Sequence, residues 1–270
     1  MSFIPEHLTK IIKCPGDYWG NDGLLYCGKC STPRSFLADE SYGELAGRLI
    51  PVLCKCGREA EEEKKEEERK KRVESLRESC LPLEEMRSAR FERAESCKAI
   101  DIARRYTDAW ERVRKENIGL LFCGNTGSGK SYAELCICNE LIDHEIPAKY
   151  ITVPEAVSRM REGGEARQAL ENTIKSTPLL VLDDFGAEGS SDYTQSLVCQ
   201  IIDLRARSGK PLIVSTNFPL AMFQGKADEL HARAADRIAG MCVPVSVAGE
   251  SRRQRQSAGK IKLAREILGL

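Results

Sequence analysis

Residues 124–131 read GNTGSGKS, a full match to the pattern G-x-x-x-x-G-K-[ST]. No other stretch constrains the fold as tightly. Glycines at these spacings let the backbone turn its N–H groups toward a row of anionic oxygens at the head of a helix. The pattern has physical meaning only between a buried strand and a helix. Gly119 to Cys123, GLLFC, is a short apolar run of the strand type. Tyr132 to His144 carries helical apolar spacing through Ala133, Leu135, Cys136, Ile137 and Leu141. Gly124, Asn125, Thr126, Gly127, Ser128, Gly129, Lys130 and Ser131 are therefore candidate phosphate-binding residues. Lys130 would reach the β- and γ-phosphates of a nucleoside triphosphate, and the Ser131 hydroxyl would ligate Mg2+.

The chain has 270 residues, 41% hydrophobic and 30% charged, which gives room for one α/β domain and a smaller appendage. Its 41 basic and 41 acidic residues balance, so any nucleic-acid surface must be local rather than a global field. No apolar run approaches the ~18–20 residues of a membrane-spanning helix, and the N-terminus lacks the apolar core of a secretory signal. The expectation is a cytoplasmic protein with no membrane partner. Twelve cysteines in that compartment point to metal binding or buried thiols rather than disulfides.

Three segments follow one another. Residues 1–58 are turn-rich and hold Cys14, Cys27, Cys30, Cys54 and Cys56. Cys27 and Cys30 are spaced by two residues and Cys54 and Cys56 by one, a pattern resembling a four-thiolate Zn2+ site that would hold a small module together. Cys14 is a possible substitute ligand, and reduced free cysteines are the alternative. Residues 59–84 begin with the charge block EAEEEKKEEERKKRVE, where Glu61–Lys65, Glu66–Lys70, Glu67–Lys71 and Glu68–Arg72 form i,i+4 pairs. The block reads as a solvated helical linker, or as a partner-binding helix extended by Val73, Leu76, Leu81 and Leu83, with a break at Pro82. Residues 85–270 form the nucleotide domain, entered through amphipathic helices over 85–118. Strands are expected at 119–123, 148–152, 178–183, 211–216 and 242–247 with helices between, giving a predominantly parallel sheet covered on both faces.

Two further segments put chemistry at the same sheet edge. PLLVLDDFGAE, Pro178 to Glu188, ends an apolar strand in Asp183 and Asp184, at the carboxyl edge where ligands of open α/β sheets bind. Asp183 would hold Mg2+ through water, and Asp184 would polarise the attacking water. PLIVSTN, Pro211 to Asn217, puts a neutral amide there, Asn217, to orient that water or to sense the γ-phosphate. Arg233 and Arg237 lie one helical turn apart, and Arg252 and Arg253 follow the last strand. The guanidinium fork matches oxyanions.

In this order, GNTGSGKS, VLDDFGAE, STN, the RAADRI helix and the terminal GESRR resemble the DnaC/IstB-type AAA+ ATPases, which are bacterial and phage helicase loaders and transposition helpers. The resemblance implies an α/β AAA+ P-loop fold with a five-stranded parallel sheet in the order 5-1-4-3-2 and ATP at subunit interfaces. It makes Asp183 the metal-binding Walker B acid, Asp184 the catalytic one and Asn217 sensor 1. Arg233 becomes the arginine finger, with Arg237 as the alternative. Arg253 becomes the sensor 2 arginine, although Arg252 stands where relatives commonly carry tyrosine. The cysteine-rich head resembles the zinc-binding extensions with which some loaders engage the helicase.

The implied function is ATP-dependent loading of a DnaB-type hexameric replicative helicase onto single-stranded DNA in replication initiation, with self-association through the ATP sites. The alternatives are an IstB-like transposition helper and a zinc-dependent DNA-binding or adaptor protein with a structural nucleotide. Lys149, Arg159, Arg161, Arg167 and the tail of Arg252, Arg253 and Arg255 are the candidate DNA contacts.

Overall fold

The computed structural model describes residues 14–225, 231–247, 260–261 and 264–269. Contacts divide the chain into two units, Met1–Lys71 and Arg72–Leu270. The first holds two short antiparallel pairs. Strand β1, Tyr18–Trp19, pairs with β2, Leu25–Tyr26, and β3, Ser35–Leu37, pairs with β4, Leu49–Pro51. Its buried apolar set is small, centred on Leu25, Ala38 and the thiols of Cys27 and Cys54. A core this small does not stabilise a fold without a cross-link or metal.

Helix α1, Lys55–Cys80, carries the charge block and ends just before Pro82. Two expected pairs form, Glu61–Lys65 at 2.6 Å and Glu67–Lys71 at 2.8 Å. The other two re-pair. Glu66 takes Arg69 at 2.8 Å, one residue closer, where the guanidinium fork grips both carboxylate oxygens. Glu68 lies 3.9 Å from Lys64, because Arg72 turns to Glu145 at 2.9 Å. From there the helix is no longer solvated. Val73, Arg77 and Cys80 are buried, and Arg77 donates to Asn139 Oδ1 at 3.3 Å and pairs with Asp143 and Glu74. The segment 72–84, expected within the linker, thus belongs by its contacts to the second unit.

That unit begins with α2 (Glu84–Arg87), α3 (Lys98–Asp108) and α4 (Trp110–Lys115). It then alternates β5 (Gly119–Gly124), α5 (Lys130–Asp143), β6 (Ala148–Thr152), α6 (Val153–Glu162), α7 (Gly164–Ser176) and β7 (Leu179–Phe185). Next come α8 (Asp192–Ser208), β8 (Leu212–Thr216), α9 (Ala232–Met241) and β9 (Cys242–Val247). All pairings in the five-stranded sheet are parallel, in the order β6-β7-β8-β5-β9. Numbered within the sheet by chain order and read from the β9 edge, this is 5-1-4-3-2.

Strand alternation builds two cores. Leu120, Phe122, Val181 and Ile213 face the layer of α3, α4 and α5. Leu121, Cys123, Leu180, Leu182 and Val214 face the layer of α6 to α9. Both faces are covered, as parallel sheets require.

The end of the sheet opposite the glycine-rich loop is held by one side chain. Arg205 of α8 has no exposed surface. It donates to Ile174 O and Thr177 O at 2.8 Å, Pro178 O at 3.0 Å and Pro211 O at 3.1 Å. These carbonyls lie at the C-terminal end of α7 and the entries to β7 and β8, where helical and ladder partners run out; that of Pro211 also accepts from Leu180 N–H at 3.5 Å. Burial lowers the guanidinium pKa to about 10, so it remains charged. Arg205→Met removes all these donors together and leaves buried carbonyls unsatisfied. A loss of about 3 kcal/mol or more is expected, read as a lower urea midpoint by circular dichroism at unchanged m.

Candidate functional site

Strand β5 ends in the glycine-rich loop and α5 starts from it, so the motif has the strand–loop–helix context its chemistry needs. Gly129 caps α5 in the left-handed region, φ +97°, where a side chain would be strained. Gly124 is forced by contact instead, since a Cβ there would lie 2.1 Å from Val247 O. Lys130 opens α5 and is 6% exposed. Its ammonium donates to Gly124 O at 2.7 Å, Asn125 O at 3.0 Å and Asn217 Oδ1 at 3.0 Å. The structure thus brings Lys130 and Asn217 together from opposite ends of the domain sequence. Burial lowers the Lys130 pKa, and the nearby Glu134, Asp183 and Asp184 carboxylates oppose the shift. Ser131 is half-buried beside it.

The paired acids are set apart by a bulge. The β7–β8 register shifts between Leu182 and Phe185, and Asp184 adopts φ +57°. A bulge of this kind re-aims side chains at the end of a strand. Asp183 is 3% exposed and Asp184 is exposed. Asp183 accepts from the Tyr150 hydroxyl at Oδ2 and from the Ser215 hydroxyl at Oδ1, and the Asp184 N–H donates to Oδ1 at 2.8 Å. Around Ser131 and Asp183 the donors are all oxygen, which suits a hard cation such as Mg2+.

Tyr150 and Glu134 are absent from the motif reading, and Ser215 appears there only as part of STN, with no role of its own. Their only signal is a polar group inside an otherwise apolar strand or helix face. A second missed group is aromatic. Phe185, next to Asp184, packs edge-on against Phe218 and His231 with centroids 6.1 and 6.3 Å away, and His231 precedes the helix of the two arginines.

On α9, Ala234, Ala235 and Ile238 face inward, and Arg233 and Arg237 are exposed. Arg237 pairs with Asp203 at 2.6 Å. Arg233 has no partner among the described residues. Arg252, Arg253 and Arg255, including the expected sensor 2 arginine, lie outside the described residues. The other candidate DNA contacts are engaged within the chain. Lys149 donates to Ser79 O at 2.6 Å, Arg159 pairs with Glu155 at 2.6 Å, Arg161 donates to Thr194 and Arg167 pairs with Glu171 at 2.9 Å.

In the first unit, one sulfur each of Cys27, Cys30, Cys54 and Cys56 lies within 4.8 Å of the others. Cys56 Sγ is 3.4 Å from Cys54 Sγ and 3.6 Å from Cys27 Sγ. Tetrahedral zinc–thiolate bonds of about 2.3 Å imply sulfur spacings of about 3.8 Å, so the cluster fits Zn2+. The one-residue spacing works because Cys54 follows β4 and Cys56 lies at the start of α1, which turns it back toward Cys27. Backbone N–H groups of Cys30 and Lys29 lower the Cys27 pKa, whereas the neighbouring thiols, Cys54 first, raise that of Cys56. Four close thiolates call for a cation. Cys14 lies instead against the Arg34 guanidinium.

The family model described as "IstB-like ATP binding protein" matches residues 57–259. The chain belongs to the IstB-like ATP binding proteins. Among curated relatives of this IstB-like chain, replicative helicase loader DnaC of Escherichia coli (strain K12) is 32% identical over 124 residues, 44% of this chain and 49% of that protein. The chain thus spans about half the length of the DnaC relatives it matches. Replicative helicase loader DnaI of Bacillus subtilis (strain 168) is 26% identical over 249 residues, 84% of this chain and 78% of that one. Solved structures share the fold. A DnaC helicase loader superposes at TM-score 0.53 with 19% identity, covering 62% of this chain and 100% of that one. A DnaI structure superposes at TM-score 0.51 with 22% identity, covering 63% and 93%. The sheet and loop are those of an AAA+ P-loop protein.

Lys130→Met removes the one buried cation of the glycine-rich loop. It should weaken binding of a fluorescent ATP analogue roughly 100-fold, on the scale of charge-assisted hydrogen bonds, with an unchanged circular dichroism spectrum.

Proposed function

We propose that this chain is an ATPase that loads a hexameric replicative helicase onto single-stranded DNA. One observation carries the reading: Lys130, Asp183, Asp184 and Asn217 meet at one sheet edge of a chain that aligns with the loader DnaI over 84% of its length, more than the ATP-binding family model alone covers. A cytoplasmic location belongs to the same reading. Among the described residues no helix is long and apolar enough to cross a membrane.

In this mechanism the loop N–H groups and Lys130 hold the β- and γ-phosphates. Ser131 and Asp183 would hold Mg2+, which would supply charge neutralisation at the phosphates. Asp184, exposed at the bulge, takes the proton of the attacking water, and Asn217 orients that water. Arg233, exposed on α9 and without an ion-pair partner among the described residues, would reach a neighbouring subunit's phosphates, which would couple hydrolysis to self-association. Arg253 would complete the site as sensor 2. The domain division follows, with a zinc-held head for the helicase, a charged helix and the ATPase body. Zn2+ on Cys27, Cys30, Cys54 and Cys56 has no open position for chemistry and serves the head's fold.

A transposition helper is the second reading, favoured by the family's IstB-like description. The cysteine head and the long alignment with DnaI weigh toward the loader. Capture of a DnaB-type helicase by the intact protein, followed by ATP-dependent transfer to single-stranded DNA, tests the choice. Failure of both steps, with stimulated strand transfer by a transposase, would reverse it.

Two outcomes follow. Arg233→Ala should lower ATP turnover at least 100-fold at concentrations where the protein self-associates, without altering nucleotide affinity, whereas Arg237→Ala, which loses only its Asp203 pair, should keep turnover within about threefold. Chelating zinc, or Cys54→Ser, should abolish helicase capture and release about one equivalent of Zn2+, with ATP binding retained.

A further inference from the structure

The pocket behind Asp183 is built from side chains to which the motifs give no role. Tyr150 stands in the middle of β6 with its ring buried, and its hydroxyl donates to Asp183 Oδ2. Ser215, fully buried near the end of β8, donates to Oδ1. Strands β6 and β8 flank β7 in the sheet, so the carboxylate is gripped at each oxygen from a different side. The Asp184 N–H, 3.3 Å from Ser215 Oγ and 2.8 Å from Asp183 Oδ1, closes the loop of hydrogen bonds. Glu134 of α5 completes the pocket. It has no exposed surface, and the Ser215 hydroxyl that donates to Asp183 also lies beside its carboxyl. Burial, then the neighbouring Asp183 charge, pushes its pKa well up.

We propose that Tyr150 and Ser215 are positioning residues for Asp183 and set the affinity of the ATP site for Mg2+. The inference rests on the reading of Asp183 as the magnesium-binding acid. A carboxylate that meets a cation through water must hold a fixed orientation, because its remaining lone pairs define where the water sits. Donors on the inner side supply that orientation, as outer-shell partners of metal ligands do, and their loss typically costs about 10–100-fold in metal affinity or activity. Without the Tyr150 hydroxyl, Oδ2 faces a buried pocket that also contains a second acid, Glu134. The carboxylate then loses its inner tether at Oδ2 and is free to leave the geometry the metal water requires. Ser215 does the same service at Oδ1 and also receives the amide of the residue that follows Asp183. The hydroxyls, and not the bulk of the two side chains, are the active element.

Tyr150→Phe and Ser215→Ala, made in the full-length protein, remove one hydroxyl each and little volume. Binding of a fluorescent ATP analogue is titrated with MgCl2 and compared with binding in EDTA, and steady-state ATP turnover is titrated over the same range. Each variant is expected to raise the half-saturating Mg2+ concentration about tenfold, with affinity in EDTA within twofold of wild type. Wild-type half-saturation in both variants, whatever their melting temperatures, overturns the inference and leaves the hydroxyls a packing role. If Tyr150→Phe does not fold, Ser215→Ala decides alone. A wild-type protein whose nucleotide affinity ignores Mg2+ overturns the reading of Asp183 itself, an outcome distinct from unchanged variants in a Mg2+-responsive background.

Discussion

An ammonium and two carboxyl groups buried at one edge of a sheet impose the constraint on which this site depends. Lys130, Asp183 and Glu134 are each under 10% exposed, and a bare charge in such surroundings costs several kcal/mol. Polar groups must therefore be brought to Lys130 and Asp183, whereas burial pushes Glu134 toward its neutral form. Two loop carbonyls and Asn217 answer Lys130, and Tyr150, Ser215 and a backbone amide answer Asp183. The strand order makes this economical in chain length. Because β8 lies between β5 and β7, one strand end serves both partners, with Ser215 turned to the acid and Asn217 to the lysine. Swapping the strand order would separate these two roles.

Most of the fold was legible because its signals are local and strong. Short apolar runs and the glycine octet placed all five sheet strands to within a residue or two, and the paired acids and the STN segment pointed to the carboxyl edge. What was not legible depends on contacts between distant segments. Nothing in the charge block announces that Arg72 abandons Glu68 for Glu145, or that Arg77 reaches Asn139. The bulge that separates Asp183 from Asp184 is likewise a tertiary event, since the sequence shows only two adjacent acids. The roles of the Tyr150 and Ser215 hydroxyls were not legible for a related reason. A single hydroxyl in an apolar strand is ordinary until the strand beside it is known.

The head and the body are stabilised by different physics. The body encloses two apolar layers against a parallel sheet and locks the far end of that sheet through the fully buried Arg205. The head has hairpins of two or three residues per strand and four converging sulfurs. Its integrity tracks thiolate chemistry, whereas the body's tracks apolar burial. Oxidants or chelators would reach one and leave the other.

The backbone at Asp184 limits what can stand there. Its φ of +57° lies in the left-handed region, which Asp, Asn and Gly enter readily and which costs other residues roughly 1–2 kcal/mol. A longer acid or a β-branched side chain would add strain at the same point where it changed the chemistry. Sequence drift at this position is therefore channelled by conformation as well as by charge. An Asn would alter the charge and keep the bulge, so under the proposed role of Asp184 a chain that binds nucleotide without turning it over lies a single substitution away.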